Sequence, residues 1–175
     1  MMGAAGALCC LLAGTAAGSW LRDRRLKRAQ TLCTEMEAIG GMRLLLEQER
    51  LGLPELLEES ARYAVGDSGE RVAERLTATA RALEQEPLLG VEQAYRQACA
   101  RSPIPWERQE ERDAMEALFM QLGSGTAAMR AQAAAACLRR LKPLAQAARE
   151  GAEASGKLCM QLGVLLGLMA GIALW

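Results

Sequence analysis

Alanine (33) and leucine (28) together supply 61 of the 175 residues, whereas valine, isoleucine and threonine number only 4, 3 and 6. A chain this rich in helix formers and this poor in β-branched residues favours helix and starves a sheet. The fold class is therefore all-α. Only six aromatic residues are present (Trp20, Tyr63, Tyr95, Trp106, Phe119, Trp175), so the core has to be Leu and Ala packed between helices. The sequence contains no histidine, which removes the commonest general base and the commonest metal ligand. Twenty-one basic residues cancel twenty-one acidic ones. Zero net charge argues against a bulk nucleic-acid binder, and the scarcity of aromatics argues against base stacking.

The charges are unevenly placed. Residues 1–21 and 158–175 carry none. As helices these stretches measure roughly 31 and 27 Å, against a hydrocarbon core of about 30 Å, so each is long enough to be a transmembrane helix. Residues 22–28 carry a net +4, residues 29–125 a net −8 and residues 126–157 a net +4. The basic run Arg22 to Arg28 follows the first apolar stretch, and Arg139, Arg140, Lys142, Arg149 and Lys157 precede the second. Under the positive-inside rule both termini lie outside the cytoplasm and residues 22–157 form a cytoplasmic domain. Anionic lipid headgroups attract such collars at about 1 kcal/mol per Lys or Arg, and Trp20 and Trp175 fall where amphipathic rings settle at an interface. The competing reading of the first stretch, a cleaved signal peptide, is weakened by the absence of any Lys or Arg before the apolar run.

Between these ends, apolar residues recur at helical spacing. Leu32, Met36, Ile39, Met42, Leu45 and Leu46 form one stripe, able to continue the first apolar helix without a break. Gly52-Leu53-Pro54-Glu55 reads as a stop and a new start, followed by Leu53, Leu56, Leu57, Ala61 and Ala64. Asp67 or Ser68 is placed to cap a third helix with the face Val72, Leu76, Ala80 and Leu83, ended by Pro87. A short helix from Val91 carries Ala94, Tyr95 and Ala98, and a fifth, about residues 107–122, buries Met115, Leu118, Phe119 and Leu122. The last begins near Thr126, with a kink expected at Pro143 against Arg139. About six helices result, in one bundle flanked by N- and C-terminal membrane helices.

Little in this bundle points to catalysis. Gly66-Asp67-Ser68-Gly69 matches a serine-protease nucleophile motif, but that chemistry needs a His base and a β-barrel. Carboxylates such as Glu47 with Glu49 and Glu107 with Glu110 read as a solvated helix face, because a di-iron bundle site requires Glu-x-x-His pairs. The six cysteines contain no C-x-x-C pair and read as small apolar fillers. No phosphate loop is present. A non-enzymatic protein without cofactor or metal is expected. Two small-residue series, Gly6, Cys10, Gly14 and Gly18, and Gly163, Gly167 and Gly171, recur every four residues and place a helix-packing groove on each apolar end.

Further segments carry a resemblance. Leu44-Leu45-Leu46-Glu47-Gln48-Glu49 with Leu53-Pro54-Glu55-Leu56-Leu57-Glu58, then Gly90-Val91-Glu92-Gln93-Ala94-Tyr95, then Leu122-Gly123 with Gln132, and finally Lys157-Leu158 with Leu162-Gly163-Val164-Leu165-Leu166-Gly167-Leu168 resemble in order and spacing the stage III sporulation protein AB family of endospore-forming bacteria. Tyr95 stands where that family has Trp. The resemblance implies a bundle similar to the cytoplasmic (F-type) domains of type II secretion platform proteins. It further implies a membrane platform component of the channel between mother cell and forespore, in the mother-cell membrane. Its implied partners are a cytoplasmic secretion-type ATPase and other membrane subunits of the complex. An ATPase contact is then sought on the acidic body at Glu55, Glu58, Glu59, Glu70 and Glu74. The alternative is a platform-like subunit of a type II secretion or type IV pilus system. A secreted helical enzyme released near Ser19 is a third class.

Overall fold

The computed structural model describes residues 2–48, 51–66 and 68–173, with side chains for all of these except 2–15, 17, 18, 21 and 155–173. Every regular element among the described residues is a helix: α1 (Met2–Glu47), α2 (Leu53–Ala61), α3 (Gly69–Gln85), α4 (Val91–Arg101), α5 (Gln109–Leu122) and α6 (Ala127–Ala173). The absence of strands follows from the scarcity of β-branched residues.

Two compact units are present, residues 1–29 with 147–175, and residues 30–146. In the first, the Arg25 guanidinium donates to the Gly151 carbonyl (3.2 Å), and the Arg24 guanidinium lies over the exposed Trp20 ring. Ala29, Ala148 and Ala152 are its buried side chains among those described. The helical backbone of α1 and α6 includes 2–21 and 158–173. Among the described residues no helix is long and apolar enough to cross a membrane. The side chains of Gly6, Cys10, Gly14, Gly18, Gly163, Gly167 and Gly171, and so the packing grooves expected there, lie outside the described residues.

The second unit is built on the apolar stripes. Leu32, Ile39, Met42 and Leu46 of α1, Leu56 and Leu57 of α2, Val72, Leu76, Ala80 and Leu83 of α3, and Met115, Leu118, Phe119 and Leu122 of α5 are all buried. Tyr95 stacks on Phe119 with ring centroids 3.8 Å apart and planes 7° from parallel, and both rings are buried.

Helix ends follow local chemistry. The Glu55 carboxylate accepts the Gly52 N–H (3.3 Å), the Glu111 carboxylate accepts the Arg108 N–H (3.0 Å), and Thr126 Oγ1 accepts the Met129 N–H (3.4 Å). Two expectations are corrected. Ser68 does not cap α3 through its hydroxyl, because its backbone is already α-helical (φ −87°, ψ −12°) and a capping side chain needs an extended residue; Asp67 lies outside the described residues. The fifth helix starts at Gln109 rather than residue 107, because Arg108 is extended and Glu107 is drawn inward. The last helix continues with Pro143 inside it, as expected.

Adjacent glycines in α1 make opposite predictions. A Cβ at Gly41 overlaps the Tyr63 ring, whereas one at Gly40 meets nothing within 4 Å. Gly40→Ala is expected to raise stability by about 0.5–1 kcal/mol through helix propensity. Gly41→Ala is expected to lower it by about 1 kcal/mol by displacing the ring. Denaturant midpoints of the two variants check the sign.

Candidate functional site

A buried ionic cluster occupies the end of the second unit at which α1 enters it. Arg75 of α3, 2 % exposed, makes a bidentate pair with Glu107 (3.0 and 3.1 Å), and both side chains are 3 % exposed. Its Nε donates to the Ser102 carbonyl (2.9 Å). The outer side is closed by Arg112, 3.5 Å from Glu107, and by the Ser102 hydroxyl, which donates to Glu74 (2.8 Å). Trp106 Nε1 donates to Thr31 Oγ1 of α1 (2.9 Å), and the Arg71 guanidinium lies over the Trp106 ring. The loop 102–108 is thereby held by α1 and α3. Burial is affordable for these charges because each is paired and hydrogen-bonded.

Glu35 of α1 is a third buried acid, 3 % exposed. Burial first and then repulsion from Glu107, opposed by attraction to Arg75 and joined by a smaller repulsion from Glu111, push its carboxyl up to about 8. It therefore carries a proton at neutral pH. On Arg75, burial is the largest single influence and opposes the charged form, but the hydrogen bond to Glu107 and the electrostatic attraction of the surrounding ionisable groups together exceed it, and the guanidinium is held still more firmly protonated. Burial raises the Tyr95 hydroxyl and the Cys99 thiol. The Cys137 thiol, pushed up to about 12 by burial, donates to the Ala114 carbonyl (3.4 Å) and is an inert packing group. Among the described residues no group of His, Cys, Asp and Glu is arranged to hold a metal ion.

The cluster corrects the reading of Glu107 as part of a solvated face; its carboxylate is needed inside to neutralise Arg75. Glu47 does lie on the surface, paired with Arg43 (3.2 Å), and Glu110 is exposed, while Glu49 is outside the described residues. A signal for the cluster was present in the periodicity: Glu35, Arg75 and Glu111 occupy positions three or four residues from Leu32, Ile39, Val72, Thr79 and Met115, on the buried faces of their helices.

The five acidic residues sought as an interface divide by duty. Glu55 caps α2, Glu59 pairs with Arg62 (3.2 Å), and Glu74 accepts the Ser102 hydroxyl. Glu58 and Glu70 are exposed and hold no side-chain partner among the described residues.

With this geometry in view, the family model for stage III sporulation protein AB matches residues 3–175, nearly the whole chain. The chain belongs to the stage III sporulation protein AB family. Neither a curated protein nor a solved structure matches it. Family membership makes this a stage III sporulation protein, and the stretch matched takes in both uncharged ends together with the helical elements described above.

Proposed function

We propose that this member of the family is a non-enzymatic membrane platform component of the channel between mother cell and forespore. Its two uncharged ends cross the mother-cell membrane, both termini lie outside the cytoplasm, and the helical body docks a cytoplasmic secretion-type ATPase and other membrane subunits. The observation that carries this reading is the family match over residues 3–175, which includes the uncharged ends together with the body between them. Charge layout supports it: basic segments flank both ends, and residues 29–125 carry the net −8. A body standing on an anionic bilayer places its basic collars against lipid and its acidic bulk away from it.

Topology is tested with reporter fusions at both termini. Alkaline phosphatase activity at each end is expected, and a cytoplasmic C-terminus overturns the two-span arrangement. The docking surface is tested at Glu58 and Glu70, the two of the five candidate acids that hold no side-chain partner among the described residues. Double reversal, Glu58→Lys with Glu70→Lys, is expected to cut co-purification of the ATPase with the full-length protein at least about tenfold, because like charges brought together at an interface cost several kcal/mol. Unchanged recovery removes these residues from the interface.

A further inference from the structure

The end of the second unit opposite the ionic cluster is apolar and open. The start of α2, the end of α3, the start of α4 and the end of α5 meet there around a cleft of about 510 Å³, whose walls include Leu53, Leu83, Val91, Phe119 and Met120. The packing is close at its base, where a Cβ on Gly123 would lie 3.1 Å from the Val91 side chain. At its mouth two large apolar residues have little or no cover: Leu88, in the α3–α4 connection, is fully exposed, and Met120 is 56 % exposed. Exposed apolar side chains grouped around an apolar cleft, unlike ones scattered singly, form the kind of surface that serves binding.

The charge around the cleft selects the occupant. Among the residues that line it and their immediate chain neighbours, the charged ones are Glu55, Glu84, Glu86 and Glu92, and none is Lys or Arg. Of the cations close to this rim, Arg96 is already held by Glu92 (2.7 Å) and Glu116 (2.8 Å), and Arg81 stands one turn before Glu84 on α3. Glu84 and Glu86 also sit at the C-terminal end of α3, where the helix dipole adds negative potential. A neutral or acidic segment gains nothing from this rim, whereas a basic one is drawn to it.

We propose that this cleft is the docking site for a segment of a partner protein that presents an apolar anchor flanked by Lys or Arg. The inference rests on the docking role proposed above and names the surface that serves it. The anchor fills the space between Leu83, Val91 and Phe119, Met120 adapts to its shape, and the exposed carboxylates of Glu84 and Glu86 meet its basic flanks.

The test places a photocrosslinking residue at 88 or 120 of the full-length protein in the membranes of sporulating cells, and scores ATPase co-purification in the same preparation. The expected result is a crosslink whose partner peptide carries Lys or Arg beside an apolar residue, with the yield from position 88 reduced about tenfold by Met120→Asp, a substitution at an exposed position that leaves the core intact. ATPase retained while the crosslinks are absent, or fall on an acidic segment, on lipid or on a second copy of this chain, overturns the cleft proposal and leaves the docking role standing. Crosslinks to a basic apolar segment of another protein with no ATPase retained support the cleft and overturn ATPase docking. Neither crosslink nor ATPase overturns both.

Discussion

Arg75→Met is expected to lower the unfolding free energy of the protein by about 3–5 kcal/mol, the range for removing one partner of a buried ion pair. The variant strands the Glu107 carboxylate, 3 % exposed, without its bidentate partner, and leaves the Ser102 carbonyl without its donor. For a domain whose total stability is about 5–15 kcal/mol this is a large fraction. The loss belongs to the stranded charge more than to the pair itself, so Glu107→Gln in the same chain is expected to restore much of it. Denaturant titration of the full-length single and double variants in detergent measures both. An Arg75→Met protein as stable as the parent would mean that Glu107 reaches water when its partner is gone.

Glu35→Gln is expected to act in the opposite direction. The folded carboxyl titrates near 8, above its ordinary value of 4.5. The folded state therefore binds more protons than the unfolded state between those limits. The stability associated with protonated Glu35 is fully present below about pH 4.5 and is lost as pH rises through about 8. Gln, which resembles the protonated acid and cannot ionise, escapes that loss. Parent and variant are expected to match near pH 4, and the variant to gain progressively until it leads by up to roughly 4 kcal/mol at pH 8, at about 1.4 kcal/mol per pH unit. Chemical denaturation at a series of pH values gives the difference. A constant gap across the series would show that Glu35 ionises alike in the folded and unfolded chain.

Arg75 and Glu35 also mark the boundary between what is local in this protein and what is not. The helices were readable because each apolar stripe is a statement about neighbours three and four residues apart, and Leu32, Ile39, Val72, Leu76, Leu118 and Phe119 all went to the interior as their spacing required. The α2 start was equally legible, since Gly52, Pro54 and Glu55 act within one turn. Ser68 shows the limit: residue type qualified it as a cap, and its backbone conformation, inside the turn closed by the Gly69 N–H on the Gly66 carbonyl, disqualified it. In the candidate interface, five similar glutamates were indistinguishable by composition, yet only Glu58 and Glu70 are left without a structural duty among the described residues.

Sequence by itself determined the helical class, the number of helices, their buried faces and the division of charge into basic flanks and an acidic body. All four rest on residue propensity or on short-range periodicity, which folding carries over unchanged. Tertiary structure decided which charges are inside and where the apolar surface remains open. Arg75 finds Glu107 32 residues away, and Thr31 finds Trp106 75 residues away. The cleft needs the ends of four helices to meet. Burial of a charge is tolerable only where a distant partner arrives to neutralise it, and a cleft exists only between surfaces brought together, so neither is written in any one stretch of the chain.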